Sequence, residues 1–128
     1  MHIKYNDYNP YFIYLLDYCS NTTGVNHTEG HRLNPLHSIL STFDKDDFIV
    51  IKLDIDTNFI ELPLAQQLLA GGKDGIYHKL IDQFYFEHHV HLGELANNWK
   101  GSMKGSIKDT LDLFYGLRKI GVPAHFWP

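Results

Sequence analysis

The 128-residue chain has little of what several classes of protein require. Its single cysteine, Cys19, excludes an internal disulfide and favours a reducing compartment, so we expect a cytoplasmic protein. There is no run of about 18 apolar residues, and the aromatic start is interrupted by Asp7 and Pro10, so neither a membrane-spanning helix nor a signal peptide is predicted. A formal net charge of −4 argues against nucleic-acid binding, which needs a basic surface.

A glycine-rich phosphate-binding loop is also missing from the sequence. Such a loop connects a strand to a helix, whereas Gly71, Gly72 and Gly75 follow a predicted helix. The sequence therefore does not predict a nucleotide site of that kind.

Strand and helix signals alternate through most of the chain. Apolar periodicity and turn residues predict helix 9–19, loop 20–33, helix 34–43, strand 48–55, helix 60–70, strand 80–90, helix 106–119 and strand 122–127. Asn34 before Pro35, and Ser106 before Asp109, are typical helix starts. Alternation from residue 48 predicts an α/β fold, a partial Rossmann-like three-layer domain with a short, mainly parallel sheet. We divide the chain into an N-terminal helical and loop segment, 1–45, and an α/β part, 46–128.

The apolar patterns also predict which residues are buried. The nearly continuous apolar run predicts that strand 48–55 is buried on both faces. In helix 60–70, we expect the leucines at 64, 68 and 69 to face inward. In the last helix, we expect the buried face to contain Ile107, Leu111, Phe114 and either Leu117 or Arg118.

Two polar clusters lie at the carboxyl ends of the first two strands of this α/β part, where parallel sheets bind ligands. Asp54 and Asp56 follow the first, on one face with Lys52 behind them. The second strand ends in Glu87, His89 and His91 on one face, with His88 pointing the other way. If the strands are neighbours, Asp54, Asp56, Glu87 and His89 should converge within about 8 Å.

Three interpretations of these clusters remain open. The carboxylates and imidazoles could hold a divalent metal, although their spacing is not that of a closed zinc site. His89 or an aspartate could act in acid–base chemistry or orient a substrate. Alternatively, the acidic residues are structural, capping the next helix or pairing with Lys52 and the histidines. His125 and Trp99 could line the same crevice, but structural roles explain both residues as well.

The stretch 46–128 resembles the second half of an FkbM-type methyltransferase domain. DDFIVIKLDID (46–56), followed by Glu61, resembles the family's strand with its lysine, acidic pair and helix-start glutamate. LIDQFYFEHHV (80–90) resembles the next strand, and LRKIGVPAHFWP (117–128) the helix-to-strand step after it. Thr57 and Asn58 stand where the family usually has a glycine. The family's S-adenosylmethionine site lies on strands before the matched part.

The resemblance implies a methyltransferase-like domain that supplies the substrate side of the fold. Asp54 and Asp56 would then be substrate-side or metal-side residues, with a small-molecule or glycan-type methyl acceptor. Further substrate-side candidates are Lys52, Glu61, His91, Trp99 and His125. We expect a C-terminal fragment or a degenerate relative that does not bind S-adenosylmethionine alone. The alternatives are a non-catalytic interaction domain that self-associates through an exposed sheet edge, and a small metal-dependent hydrolase. No membrane or nucleic-acid partner is expected.

Overall fold

The computed structural model describes residues 11–15, 26–90 and 105–127, and the first of these ranges is described only as a strand. The elements, in chain order, are β1 (Tyr11–Leu15), α1 (Pro35–Thr42), β2 (Ile49–Leu53), α2 (Asn58–Ala70), α3 (Tyr77–Leu80), β3 (Gln83–Phe86), α4 (Ile107–Lys119) and β4 (Ala124–Phe126). No helix within these ranges is long and apolar enough to cross a membrane.

The four strands form one parallel sheet in the order β1-β2-β3-β4. This confirms the predicted α/β fold with a short parallel sheet and the adjacency of the strands now named β2 and β3. The register pairs Ile51 with Phe84 and Leu53 with Phe86, so β2 and β3 end side by side. The carboxyl ends of these two strands therefore share one edge of the sheet.

The predicted helix over 9–19 is wrong, because residues 11–15 form strand β1. Asn9 and Pro10 resemble a helix start, but proline is equally acceptable at the entry to a strand. The run YFIYL is rich in aromatic and β-branched residues, which favour a strand. The N-terminal part of the chain thus contributes an edge strand to the same sheet as residues 49–126.

Strand β3 is shorter than the predicted strand 80–90, because Tyr77–Leu80 forms the short helix α3 before it. The carboxylate of Asp82 accepts a hydrogen bond from the Ile49 amide at 2.7 Å, and the Asp82 amide donates to the Ile49 carbonyl at 2.9 Å. This two-way contact sets the start of β3 against the start of β2.

One face of the sheet carries the core. Ile49, Ile51 and Leu53 are buried, whereas the intervening Val50 and Lys52 are only half-buried. The prediction that this strand is buried on both faces is therefore wrong, because only alternate residues lie fully within the core. Most core members come from the strands, α2 and α4: Ile49, Ile51, Leu53, Leu64, Leu68, Phe84, Phe86, Phe114, Leu117 and Ala124.

Helix α4 begins as predicted but buries a different face. Ser106 accepts a hydrogen bond from the Asp109 amide, and Asp109 accepts one from the Ser106 amide, which completes a capping box. Ile107 and Leu111 are 67% and 54% exposed, contrary to prediction. The buried residues are Thr110, Leu113, Phe114 and Leu117, since Thr110 is turned inward by a hydrogen bond to His88.

Helices α1 and α2 agree better with the sequence patterns. The Asn34 side chain accepts a hydrogen bond from the Leu36 amide, with Pro35 in the first turn, as predicted. In α2, Leu64 and Leu68 are buried, and Leu69 packs partly buried against the core.

Candidate functional site

The residues that follow β2 and β3 face one another across the carboxyl edge of the sheet. The Glu87 amide donates to the Leu53 carbonyl at 3.4 Å, so the pairing of the two strands continues one residue past β3. Asp54 and Asp56 leave from one strand at this edge, and Glu87 and His89 leave from the other. This is the edge at which ligands bind in parallel α/β sheets.

Asp56, Glu87 and His89 form a compact group that we call the carboxylate–imidazole cluster. His89 Nε2 lies 3.1 Å from Asp56 Oδ1 and 3.8 Å from Glu87 Oε2. One ligand atom from each residue lies within 4.8 Å of the others. The His89 side chain is 1% exposed, and those of Asp56 and Glu87 are 29% and 27% exposed. The imidazole is therefore enclosed, while both carboxylates remain open to solvent.

Asp54 joins this cluster from the side of β2. Its carboxyl group hydrogen-bonds to that of Glu87, and its Oδ2 lies 2.6 Å from Lys52 Nζ. All four residues predicted to converge, Asp54, Asp56, Glu87 and His89, are thus brought together. Lys52 Nζ also lies 4.2 Å from the centre of the Trp127 ring, a cation–π contact that holds the ammonium group beside Asp54.

Negative charge is concentrated at this edge. Burial, a hydrogen bond that the protonated Glu87 carboxyl group donates to Asp54, and the negative charges of Asp54 and Asp56 together raise the pKa of Glu87 to about 7. These carboxylates favour a bound proton or cation because full ionisation would place like charges side by side. The site therefore has the electrostatics of a proton-accepting or cation-binding centre.

Glu61, in the first turn of α2, stabilises the turn between β2 and α2. One Glu61 oxygen accepts the Ile55 amide at 2.8 Å and the other accepts the Thr57 amide at 2.9 Å. Glu61 is fully buried, and burial raises its pKa to about 7, against the lowering effect of the two amides. Since both of its oxygens are occupied by main chain, Glu61 shapes the turn that carries Asp56 and does not face an open site.

Asp56 itself has a left-handed backbone conformation, with φ of 56°. Aspartate tolerates this region better than most residues, yet it remains an uncommon conformation outside glycine. The turn sets the Asp56 carboxylate against His89. The two carboxylate–amide bonds of Glu61 stabilise the turn, so the sequence folds locally to place one specific acid against one specific imidazole.

Asn58 is a residue at this edge that the sequence analysis did not identify as a site residue. It is 1% exposed, its Nδ2 donates to the His89 carbonyl at 2.6 Å, and its Oδ1 has no hydrogen-bond partner within the described ranges. Asn58 is the first residue of α2, directly after the acidic turn, and an amide side chain at that position was the available signal.

Of the other residues considered in the sequence, His88 and His125 contact groups outside the cluster, and two more lie outside the described residues. His88 points away from the cluster as predicted, stacking on Phe86 and hydrogen-bonding to Thr110 Oγ1 at 2.8 Å. His125 also stays out of the cluster, because it hydrogen-bonds to Gln83 and stacks on Tyr85 at 5.0 Å between ring centres. His91 and Trp99 lie outside the described residues.

The structural interpretation of the aspartates accounts for only part of this arrangement. Asp54 pairs with Lys52, as that interpretation predicts. Asp56 lies 3.1 Å from His89, a pairing that the same interpretation predicts. The amides of Ile55 and Thr57, however, are bound by Glu61 and not by an aspartate, and the interpretation does not account for the approach of Glu87 to the same imidazole. Comparison of the chain with protein-family models, with curated protein sequences and with solved structures finds no match in any of the three.

Proposed function

We propose that this chain forms the acceptor side of a methyltransferase-like α/β domain. In this proposal the carboxylate–imidazole cluster binds a hydroxyl group of a small-molecule or glycan-type acceptor. The observation that carries the proposal is the convergence of Asp56, Glu87 and His89 at the carboxyl edge of the sheet. The resemblance of residues 46–56 and 80–90 to an FkbM-type domain supports methyl transfer as the reaction.

The chemistry of the cluster suits an acceptor hydroxyl. Methylation of a hydroxyl oxygen forms a carbon–oxygen bond as the bond between the methyl carbon and its donor breaks, and the donor leaves with that electron pair. The hydroxyl proton is released as well, which needs a base within hydrogen-bond reach. The carboxylates of Asp56 and Glu87 are partly exposed and can accept that proton. His89, 3.1 Å from Asp56, orients the aspartate and stabilises its charge.

The described residues do not fit the methyl donor that the resemblance implies. The turn after β2 has no glycine, and its amides at Ile55 and Thr57 are already bound by Glu61. Residues 87–90 after β3 also contain no glycine. We therefore assign no step to S-adenosylmethionine within these residues and expect this chain alone not to bind it. Titration calorimetry tests this expectation, and binding at micromolar concentration would contradict it.

Acceptor binding can be tested by NMR with ¹⁵N-labelled protein. Methyl glucoside and catechol, added at millimolar concentration, serve as hydroxyl probes. We expect at least one of them to shift the amide signals of residues 54–58 and 87–90, and Asp56→Asn to weaken that binding. Asp46→Asn removes an exposed carboxylate away from the cluster and is the matched control. If neither probe shifts these signals, or if Asp56→Asn leaves binding unchanged, the proposal fails.

A metal-dependent hydrolase is the second candidate, favoured by three potential ligand atoms within 4.8 Å. It predicts Mn²⁺-dependent turnover of a nitrophenyl ester or nitrophenyl phosphate that Asp56→Asn abolishes. The absence of such turnover in metal-loaded protein would count against it.

A further inference from the structure

The carboxylate–imidazole cluster has the dimensions of a coordination site. Ligand atoms about 2.1 Å from one ion lie about 3.0 Å apart at a right angle and about 3.4 Å apart at a tetrahedral angle. His89 Nε2 lies 3.1 Å from Asp56 Oδ1 and 3.8 Å from Glu87 Oε2. Small side-chain adjustments would therefore bring all three atoms to one ion, without movement of β2 or β3.

The donor set selects the class of ion. Two carboxylate oxygens and one imidazole nitrogen suit first-row transition metals such as Mn²⁺ better than Ca²⁺ or Mg²⁺, which favour oxygen ligands alone. The negative charge of Asp54 lies beside the cluster, and among the described residues Lys52 is the cation that pairs with it. A divalent cation would neutralise the excess charge that these groups share.

The enclosure of the cluster resembles that of a reactive metal centre more than that of a closed structural site. His89 is enclosed, whereas Asp56 and Glu87 are each more than a quarter exposed, so an ion could enter from solvent. Three protein ligands leave coordination positions for water or an acceptor oxygen, as in catalytic metal sites.

A second observation concerns Asn58, which lies against the main chain of His89. The Asn58 amide group is bonded through Nδ2 to the His89 carbonyl, and its Oδ1 is a buried acceptor without a donor in the described part of the chain. Buried polar groups are almost always satisfied, so an acceptor here favours an additional group at this place, such as a metal-bound water.

The geometry points to a divalent transition-metal site in which Asp56 Oδ1, Glu87 Oε2 and His89 Nε2 are the protein ligands. Nε2 can bind the ion only as an unprotonated nitrogen, so in the loaded state the neutral imidazole carries its proton on Nδ1. The role of the ion rests on the proposed function, because the acceptor hydroxyl would occupy one of its open positions. The second oxygen of Asp56 or Glu87, which does not bind the ion, would then accept the hydroxyl proton. Whether the ion binds can nevertheless be tested without any acceptor.

Mn²⁺ is the probe, added to untagged, chelator-treated, ¹⁵N-labelled protein. Its unpaired electrons broaden nearby amide signals, so broadening should begin at residues 54–58 and 87–90. Residues 116–119 form the end of α4, near the edge of the sheet where β4 begins and opposite the cluster, so their amide signals should keep their intensity. We expect Asp56→Asn and Glu87→Gln each to weaken Mn²⁺ binding at least tenfold. Both substitutions are nearly isosteric at partly exposed positions, and either one that folds is sufficient for the test.

Two controls separate this site from adventitious binding. Asp46→Asn removes an exposed carboxylate, and His125→Gln removes an imidazole on β4, so neither should change Mn²⁺ affinity. The inference is overturned if broadening starts elsewhere, or if Asp56→Asn and Glu87→Gln bind Mn²⁺ as the wild type does. Hydroxyl probes that still bind metal-free protein would then leave the proposed function standing, whereas loss of both kinds of binding would overturn both.

Discussion

Replacement of Glu61 by glutamine tests whether a buried, protonatable carboxyl group supports the turn that carries Asp56. Glutamine has nearly the same shape, but its NH₂ group can only donate, whereas both oxygens of the Glu61 carboxyl group can accept even when one carries a proton. One of the amides of Ile55 and Thr57 would then face an NH₂ group. We expect Glu61→Gln to lower the free energy of unfolding by about 1–3 kcal/mol at pH 5, the cost of an unsatisfied buried donor.

The pH dependence of the free energy of unfolding tests the role of Glu61 more directly than its value at one pH. The pKa of Glu61 is raised from 4.5 to about 7 in the folded protein, chiefly by burial. The folded state therefore binds more protons than the unfolded state between these values, and stability contributed by Glu61 is lost as pH rises through 7. At about 1.4 kcal/mol per pH unit, the interval from 4.5 to 7 corresponds to about 3 kcal/mol. Glutamine cannot ionise, so the difference between wild type and Glu61→Gln should shrink by up to this amount by pH 8.

Urea unfolding followed by circular dichroism at pH 5, 6, 7 and 8 measures this difference. Glu87 contributes its own pH dependence in both proteins. The charge of Glu61 is the smallest of the effects that raise the pKa of Glu87, so most of that contribution cancels on subtraction. Glu29→Gln, at an exposed position, is the matched control and should run parallel to wild type. A constant difference between wild type and Glu61→Gln across this range would refute the argument that burial keeps Glu61 protonated.

Three further predictions concern the cap, the cluster and the sheet edge. Ser106→Ala removes one partner of the α4 capping box and should lower stability by about 1 kcal/mol, whereas the exposed Ser41→Ala should be near neutral in the same thermal melts. Asp56→Asn should leave the melting temperature unchanged or raise it, because it relieves repulsion with Glu87. A decrease in the free energy of unfolding of about 1 kcal/mol or more would assign Asp56 a structural role. We expect self-association through an edge of the sheet, as the non-catalytic interpretation also requires, and a clean monomer by light scattering at high concentration would contradict it.

The sequence patterns predicted the carboxyl-edge cluster better than they predicted the first strand. Strand alternation placed Glu87 and His89 on one face, and the parallel arrangement put them opposite Asp54 and Asp56. Those inferences needed only the period of a strand and the adjacency of β2 and β3. Strand β1 was missed because a proline before an aromatic run is compatible with either a helix or a strand.

Contacts between distant residues account for most of what the sequence did not reveal. The hydrogen bond from Asn58 to the main chain of His89 links residues that are 31 positions apart, and no local sequence pattern predicts that they meet. Thr110 turns inward on α4 because it meets His88, and this rotates the buried face away from Ile107 and Leu111. Glu61 was a substrate-side candidate by resemblance, but its contacts with two main-chain amides depend on the three-dimensional path of the turn.

The order of the strands has a consequence for how the chain folds. Each strand pairs with the one before it, so no later strand has to insert between two that are already joined. The connections 16–48, 54–82 and 87–123 are of similar length, and loop-closure entropy changes slowly with length, so successive additions cost similar amounts. The sheet can therefore grow in the order of synthesis, with β2 and β3 already paired before β4 is added.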